Sequence, residues 1–116
     1  MIPVYTRAQI EAFIRPSDVI RVVEEGFAAY LRGDTVIPPV GHLPFENPEG
    51  EYHIKYGYRI GDTTFTVKIA TGFPGNTEEA LSTSNGVILV FSSQTGELLA
   101  SIFTPGNAIT KCCPSP

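Results

Sequence analysis

Basic residues are scarce in this chain and form no cluster. The 116 residues include 8 Lys and Arg against 12 Asp and Glu, so the formal net charge is −4. Non-specific nucleic-acid binding requires a concentrated positive surface, which this composition does not supply. We therefore expect no nucleic acid among the partners of the chain.

Long apolar runs are absent as well. No segment approaches the ~20 consecutive apolar residues that a membrane-spanning helix needs. The N-terminus also lacks the basic region and the apolar run of a signal peptide. The sequence therefore predicts a cytoplasmic chain with no membrane partner, and its length and 42% hydrophobic content suit one compact domain.

Cysteine and histidine are too few to build a structural framework. Cys112 and Cys113 are adjacent, so they cannot close a long loop as a stabilising disulfide would. The two histidines, His42 and His53, lack the paired spacing that structural zinc sites show. We expect neither a disulfide framework nor a metal site.

The common nucleotide-binding and hydrolase motifs are missing too. The chain contains no G-x-G-x-x-G, no G-x-S-x-G and no H-E-x-x-H segment. The glycines of residues 72–75 form only a turn signal. We therefore expect this chain alone to bind no dinucleotide cofactor.

Two helices are predicted at the N-terminus. Thr6 and Gln9 have the spacing of a capping box, and apolar residues follow at helical intervals up to the break at Pro16. Ser17 is a natural N-cap for a second helix over about residues 18–32, with an apolar stripe on one face and charged residues on the other. Gly33 is expected to end this helix.

The rest of the chain predicts a sheet. Short alternating segments, rich in β-branched and aromatic residues, are separated by Gly, Pro and Asn. We predict strands over residues 52–59, 64–69, 85–91 and 97–103, with a loop over 71–84 that is long enough to suggest a function. The predicted fold class is α+β, with two N-terminal helices followed by an antiparallel β-sheet.

A turn at Gly61 and Asp62 sets the register of the first predicted hairpin. Gly suits the first central position of a two-residue type II′ turn, since that position has positive φ. Counting back along the two strands from this turn pairs Lys55 with Lys68. Two ammonium groups are therefore predicted to face each other across the sheet.

The predicted lysine pair suggests an anion site. Like charges directly opposite each other destabilise a sheet by about 0.2–1 kcal/mol, and a small carboxylate would relieve the repulsion. His53 and Arg59 lie on the same predicted face. The alternative is an ordinary solvent-exposed face on which the lysines splay apart. His42 is open between a ligand contact and a histidine bonded to a backbone carbonyl.

Four segments occur in an order and spacing that are typical of one family. They are PPVGHL at 38–43, HIKYGY at 53–58, VKIATGFPGN at 67–76, and GVILVF with TGELLA within 86–100. Together they resemble the N-terminal region of the ornithine cyclodeaminase/mu-crystallin family over about residues 5–103. The resemblance implies NAD(P)-dependent relatives, which include cyclodeaminases, imino-acid reductases, amino-acid dehydrogenases and a thyroid-hormone-binding lens protein. It also implies a homodimer formed through the sheets of this region.

The resemblance implies roles for individual residues. Lys68, in the context V-K-x-x-x-x-x-P-x-N, falls on the family lysine that contacts the substrate carboxylate and assists chemistry at the α-carbon. Asn76 ends the same motif. His53 stands where the cyclodeaminases have an acidic residue, and Lys55 where many members have Met, which implies an altered substrate preference. Lys68 is thus the expected catalytic residue, and Lys55, His53, Lys68 and Asn76 are the expected substrate-binding residues.

Departures from the family pattern predict the domain organisation. Val40 and Cys113 stand where the family has arginines that hold the substrate, and the family pattern is abandoned after Thr110. A Rossmann domain would come next in the family. We expect a substrate-binding and dimerisation-like domain over residues 1–105 and an irregular tail over 106–116, in a chain truncated before the Rossmann domain.

Three functions follow from this interpretation. The favoured one is a substrate-binding and dimerisation domain for a small α-amino or α-imino acid, inactive alone and with no cofactor of its own. The second is an NAD(P)-dependent cyclodeaminase, imino-acid reductase or amino-acid dehydrogenase of which this chain is a part. The third is a stand-alone dimeric interaction module that binds no ligand.

Overall fold

The computed structural model describes residues 2–104, which fold as two helices followed by strands. The α+β fold class is confirmed. The elements are β1 (Val4–Tyr5), α1 (Arg7–Phe13), α2 (Pro16–Arg32), β2 (Thr35–Val36), β3 (Gly41–Glu46), β4 (Glu49–Arg59), β5 (Thr64–Gly72), a 3₁₀ helix (Pro74–Glu79), β6 (Ser84–Ser92) and β7 (Leu98–Thr104).

Helix α1 begins at the predicted capping box. The Thr6 hydroxyl accepts a hydrogen bond from the backbone N–H of Gln9, and the Gln9 side chain accepts one from the backbone N–H of Thr6. Both groups would otherwise lack an intrahelical partner at the helix N-terminus. The short helix ends before Pro16, as predicted.

Helix α2 begins earlier than predicted. Its first residue is Pro16 and its N-cap is Arg15, which makes no side-chain capping bond, so the assignment of Ser17 as the cap was wrong. Proline favours the first helical position because its φ is already helical and its missing N–H would have no partner there. The C-terminus was predicted correctly, since Gly33 caps it with a φ of 78°.

The apolar stripe of α2 is present but largely uncovered. The exposed fractions are 48% for Val23, 67% for Phe27 and 83% for Leu31, and Ala29 is the buried residue of the helix. Helical spacing identifies which face is apolar, but residues 2–104 supply no surface that covers this face. No helix in this part of the chain is long and apolar enough to cross a membrane.

The seven strands form one mixed sheet in the order β1-β7-β6-β5-β4-β2, and β3 also pairs with β4. Pairing is antiparallel along β3 to β7 and between β2 and β4, while the short β1 runs parallel to β7. Strands β2 and β3 occupy opposite ends of the same edge of the long β4, since β2 pairs near Arg59 and β3 pairs near Glu49.

The predicted turn between β4 and β5 differs in detail from the observed one. The Asp62 N–H donates to the Arg59 carbonyl, so the central residues of the turn are Ile60 and Gly61. Gly61 has a φ of 97° at the second central position, where the prediction placed it at the first. The Ser93 hydroxyl donates a hydrogen bond to the Asp62 carbonyl at 2.7 Å. This bond connects the turn after β4 to the loop between β6 and β7.

Alternation along β4 separates two faces of the sheet. Tyr52, Ile54, Tyr56 and Tyr58 lie on one face, and the face that carries Lys55 and Lys68 is here called the lysine face. The middle strands β5 and β6 are mostly half-buried. Within residues 2–104 no large hydrophobic side chain is fully buried.

Candidate functional site

Lys55 and Lys68 lie directly opposite each other on β4 and β5, so the predicted pairing is confirmed. The register survives the different turn because both strands alternate without interruption over this stretch. Lys55 is exposed and Lys68 is half-buried. Neither ammonium group forms a salt bridge or a side-chain hydrogen bond with any residue in the range 2–104.

Two clefts flank this part of the sheet, and neither Lys55 nor Lys68 is among their lining residues. On one side, a cleft of about 530 Å³ is lined by residues that include His42, Glu51, Gly72, Phe73 and Ser84, and we call it the hairpin cleft. On the other side, a smaller cleft of about 290 Å³ is lined by residues that include Gly57, Arg59 and Thr66.

Two histidines and a glutamate form a separate cluster at the border of the hairpin cleft. His42 on β3 lies directly opposite His53 on β4, and their rings stack with centroids 4.8 Å apart and an interplanar angle of 16°. Glu51 precedes His53 by two residues, so it lies on the same face. Its Oε2 lies 3.3 Å from Nε2 of His42 and 3.7 Å from Nε2 of His53.

This cluster changes the interpretation of both histidines. His42 was left open between a ligand contact and a bond to a backbone carbonyl, and its partner is instead the Glu51 carboxylate. His53 shares the lysine face, as predicted, but its imidazole lies against His42 and Glu51. Glu51 brings negative charge to a face that the sequence predicted to be only positive.

Asn76 lies in the 3₁₀ helix that follows β5. Its amide nitrogen donates to the Ser82 carbonyl at 2.8 Å, and the Leu81 N–H donates to its backbone carbonyl. These bonds hold the loop between β5 and β6 together. The predicted substrate contact of Asn76 stays a prediction.

Val40 and Cys113 stand at the two positions where the resemblance implies arginines, and the structure describes only Val40. Val40 precedes β3 and is 50% exposed, so it offers no cation to a carboxylate. Cys113 lies outside the described residues, as does the predicted tail over 106–116.

Two features of the site were missed by the sequence reasoning. Glu51 was left out because the strand was expected to begin at Tyr52, whereas β4 begins at Glu49. A signal was available, because the Asn47-Pro48 pair between two alternating segments is typical of a turn. The close approach of Phe73 to Gly50 across the hairpin cleft had no local signal.

Comparison with known proteins places these features in a family context. A family model described as the ornithine cyclodeaminase/mu-crystallin family matches residues 2–112. A protein from Sinorhizobium fredii named "uncharacterized cyclodeaminase y4tK" is 32% identical over 90 residues, which are 77% of this chain and 27% of that protein.

Solved structures have the same fold. A Thermococcus litoralis Δ¹-pyrroline-2-carboxylate reductase, in complex with NADH and L-proline, superposes with a TM-score of 0.80 at 24% identity over 88% of this chain and 32% of that one. An archaeal alanine dehydrogenase dimer with bound NAD gives a TM-score of 0.78 at 25% identity over 88% of this chain and 31% of that one. The chain spans 27–32% of the length of the curated relatives that it matches.

Proposed function

Because the chain belongs to the ornithine cyclodeaminase/mu-crystallin family, we propose that it is the substrate-binding and dimerisation region of a protein acting on a small α-amino or α-imino acid. The carboxylate of this acid binds at Lys68, with Lys55 as a second cation. The observation that carries the proposal is the facing lysine pair, which has no acidic partner in the described part of the chain.

The electrostatic argument favours an anion at this position. Two like charges directly opposite on a sheet cost about 0.2–1 kcal/mol when nothing compensates them. One carboxylate offers two oxygens and can accept hydrogen bonds from both ammonium groups, and charge-assisted bonds of this kind are stronger than neutral ones. The overall charge of the chain is −4, so two facing lysines are not a consequence of its composition.

The proposed roles of the residues follow from their positions. Lys68 is half-buried and Lys55 is exposed, so we assign the main carboxylate contact to Lys68. His53 borders the pair on the same strand and limits the space beside it. Val40 supplies no guanidinium clamp, so two lysines, which act as point charges, hold the carboxylate without the bidentate geometry of arginine.

The described residues do not fit a nicotinamide dinucleotide, although the solved relatives include complexes with NADH and with NAD. A dinucleotide cradle joins a strand to a helix through a glycine-rich turn. Here β3 to β6 are joined by turns and one 3₁₀ segment, and the residue between β1 and α1 is Thr6. We propose that residues outside this chain supply the cofactor site.

Thermal denaturation in the presence of small anions tests the carboxylate site. A ligand at ten times its Kd stabilises the folded state by about 1.4 kcal/mol, which raises Tm by several degrees. We expect this shift with acetate or sulfate at constant ionic strength, and we expect Lys68→Met to abolish it. Arg21→Met, which removes a cation from α2, is the control and should keep the shift.

The same experiment has a result that contradicts the assignment. If the shift persists in the Lys55→Met, Lys68→Met double variant, the anion binds elsewhere and the lysine pair is not the site. If Arg21→Met loses the Tm shift as Lys68→Met does, the shift depends on the net charge of the chain and not on the lysine pair.

The 116-residue chain should not turn over amino acids by itself, because the described residues offer no placement for the cofactor that carries the difficult step. We expect no absorbance change near the nicotinamide band when the chain is incubated with L-ornithine, L-proline or L-alanine and NAD(P). Turnover that elutes with the chain on a sizing column and disappears in Lys68→Ala would overturn this expectation and favour the enzyme hypothesis.

Self-association is the second part of the proposal. The resemblance implies a contact through the sheets, whereas the uncovered stripe of α2 favours a contact that includes this helix. Phe27 and Leu31 are 67% and 83% exposed, and a contiguous apolar surface of this kind is typical of an interface. We expect a dimer by sedimentation velocity at micromolar concentration. Leu31→Glu should weaken the dimer, whereas the control Glu24→Gln on the same helix should not. A monomer at these concentrations would contradict this part of the proposal.

A further inference from the structure

The β3–β4 hairpin brings three potential metal ligands together. The strand register sets His42 opposite His53, and alternation puts Glu51 on the same face as His53. Their ligand atoms, two imidazole nitrogens and one carboxylate oxygen, all lie within 4.8 Å of one another. The cluster therefore depends on the backbone pairing of two antiparallel strands and not on a flexible loop.

The spacing of these atoms matches the demands of a small ion. Zn²⁺ binds nitrogen and oxygen ligands at about 2.0–2.2 Å, so two such ligands in a tetrahedron lie about 3.4 Å apart. Glu51 Oε2 lies 3.3 Å from the Nε2 of His42 and 3.7 Å from the Nε2 of His53. The nitrogens of the two imidazoles lie within 4.8 Å of each other and the rings stack nearly parallel, so both rings have to rotate toward the ion for all three atoms to enter one coordination sphere.

The ligand chemistry selects the class of ion. Imidazole nitrogens with one carboxylate suit Zn²⁺, Ni²⁺ or Cu²⁺, whereas Ca²⁺ and Mg²⁺ prefer sites built from oxygen atoms. Three protein ligands leave a fourth position for water or for another ligand, as in zinc sites with two histidines and one glutamate. His42 and Glu51 also line the hairpin cleft, so a ligand within the cleft could reach that position.

We propose that His42, Glu51 and His53 bind one divalent transition-metal ion at the border of the hairpin cleft. The side chains are 48%, 54% and 33% exposed, so the ion enters from solvent without any opening of the fold. The site adjoins the lysine pair through His53, but metal binding does not depend on the proposed carboxylate binding. It also differs from the sequence-based expectation of no metal site, which considered only spacing along the chain.

Calorimetric titration with ZnCl₂ tests the proposal. All proteins carry Cys112→Ser and Cys113→Ser, because adjacent thiols would bind zinc on their own. We expect one ion per chain, and at least ten-fold weaker binding in His42→Ala, in His53→Ala and in Glu51→Gln. The control is Glu49→Gln, which removes an exposed carboxylate of β4 that also lines the cleft, and its affinity should stay within two-fold of the parent.

Electron paramagnetic resonance with Cu²⁺ identifies the ligands directly. The spectrum of the parent should show coupling to two imidazole nitrogens, and either histidine variant should lose one of them. Circular dichroism of each variant separates loss of a ligand from loss of the fold, and Glu51→Gln preserves the size of the side chain. Unchanged zinc affinity in folded His53→Ala, or one ion shared by two chains, would overturn the proposal.

Discussion

Substitution of Gly50 by alanine should destabilise the fold through a single contact. A Cβ at this position would lie 2.4 Å from two ring carbons of Phe73, which is far inside van der Waals contact. The ring of Phe73 also packs against Phe45, with centroids 5.6 Å apart. The added methyl group therefore has to displace an aromatic ring that closes one end of the hairpin cleft.

The expected cost follows from these contacts. Overpacking costs about 1–3 kcal/mol, and a displaced Phe73 also loses an aromatic pair worth about 0.5–1.5 kcal/mol. Because the ring can swing partly toward solvent, we expect Gly50→Ala to lower the free energy of unfolding by about 1–2 kcal/mol. For a domain of this size, that corresponds to a fall in Tm of about 4–10 °C.

Denaturant unfolding of a double-mutant cycle measures this contact. In a Phe73→Ala background the steric conflict is gone, so Gly50→Ala should change stability by less than about 0.5 kcal/mol. The matched control is Gly72→Ala on the neighbouring strand, where the nearest atom to the new Cβ would be Glu51 Cγ at 3.8 Å. This control should be neutral or stabilising by up to about 1 kcal/mol. Equal costs of Gly50→Ala in both backgrounds would refute the reasoning.

Four further substitutions have expected outcomes by the same denaturant measurement. Lys55→Glu should stabilise the fold by about 0.5–1 kcal/mol at low salt, because it turns a repulsive pair with Lys68 into an attractive one, and 1 M salt should remove most of the gain. Gly33→Ala should cost about 1 kcal/mol because its φ of 78° is left-handed, whereas Gly26→Ala within α2 should gain about 0.5–1 kcal/mol. Thr6→Ala should cost about 0.5–1 kcal/mol through loss of the cap of α1. A gain in stability from Gly33→Ala, a loss from Gly26→Ala, or a gain from Lys55→Glu that persists in high salt would contradict these assignments.

Local pattern was sufficient for the register of the central hairpin. Lys55 faces Lys68 as predicted, although the turn that was used to count the register differs from the observed one. Two alternating strands with one apolar face tolerate few registers, because a shift by one residue would turn the tyrosines onto the lysine face. The pairing therefore depends more on the strands than on the turn.

Features that depend on distant parts of the chain were not predictable. Val4 and Tyr5 form a strand of two residues, too short to show alternation, and its parallel pairing with β7 is set by tertiary placement. The spacing of α2 identified an apolar face, but it does not say which surface covers that face. The cluster of His42 with Glu51 required the β3–β4 pairing, and the prediction did not define β3 as a strand.

Nuclear magnetic resonance titration of the chain with L-proline tests the central claim, that the lysine pair holds a carboxylate, most directly. We predict saturable amide shifts that are largest within residues 53–57 and 66–70, that follow a single Kd and that disappear in Lys68→Met. L-Prolinamide, which lacks the carboxylate, should produce none of them. Shifts of equal size with L-prolinamide, or shifts confined to α2 or to the hairpin cleft, would contradict the account.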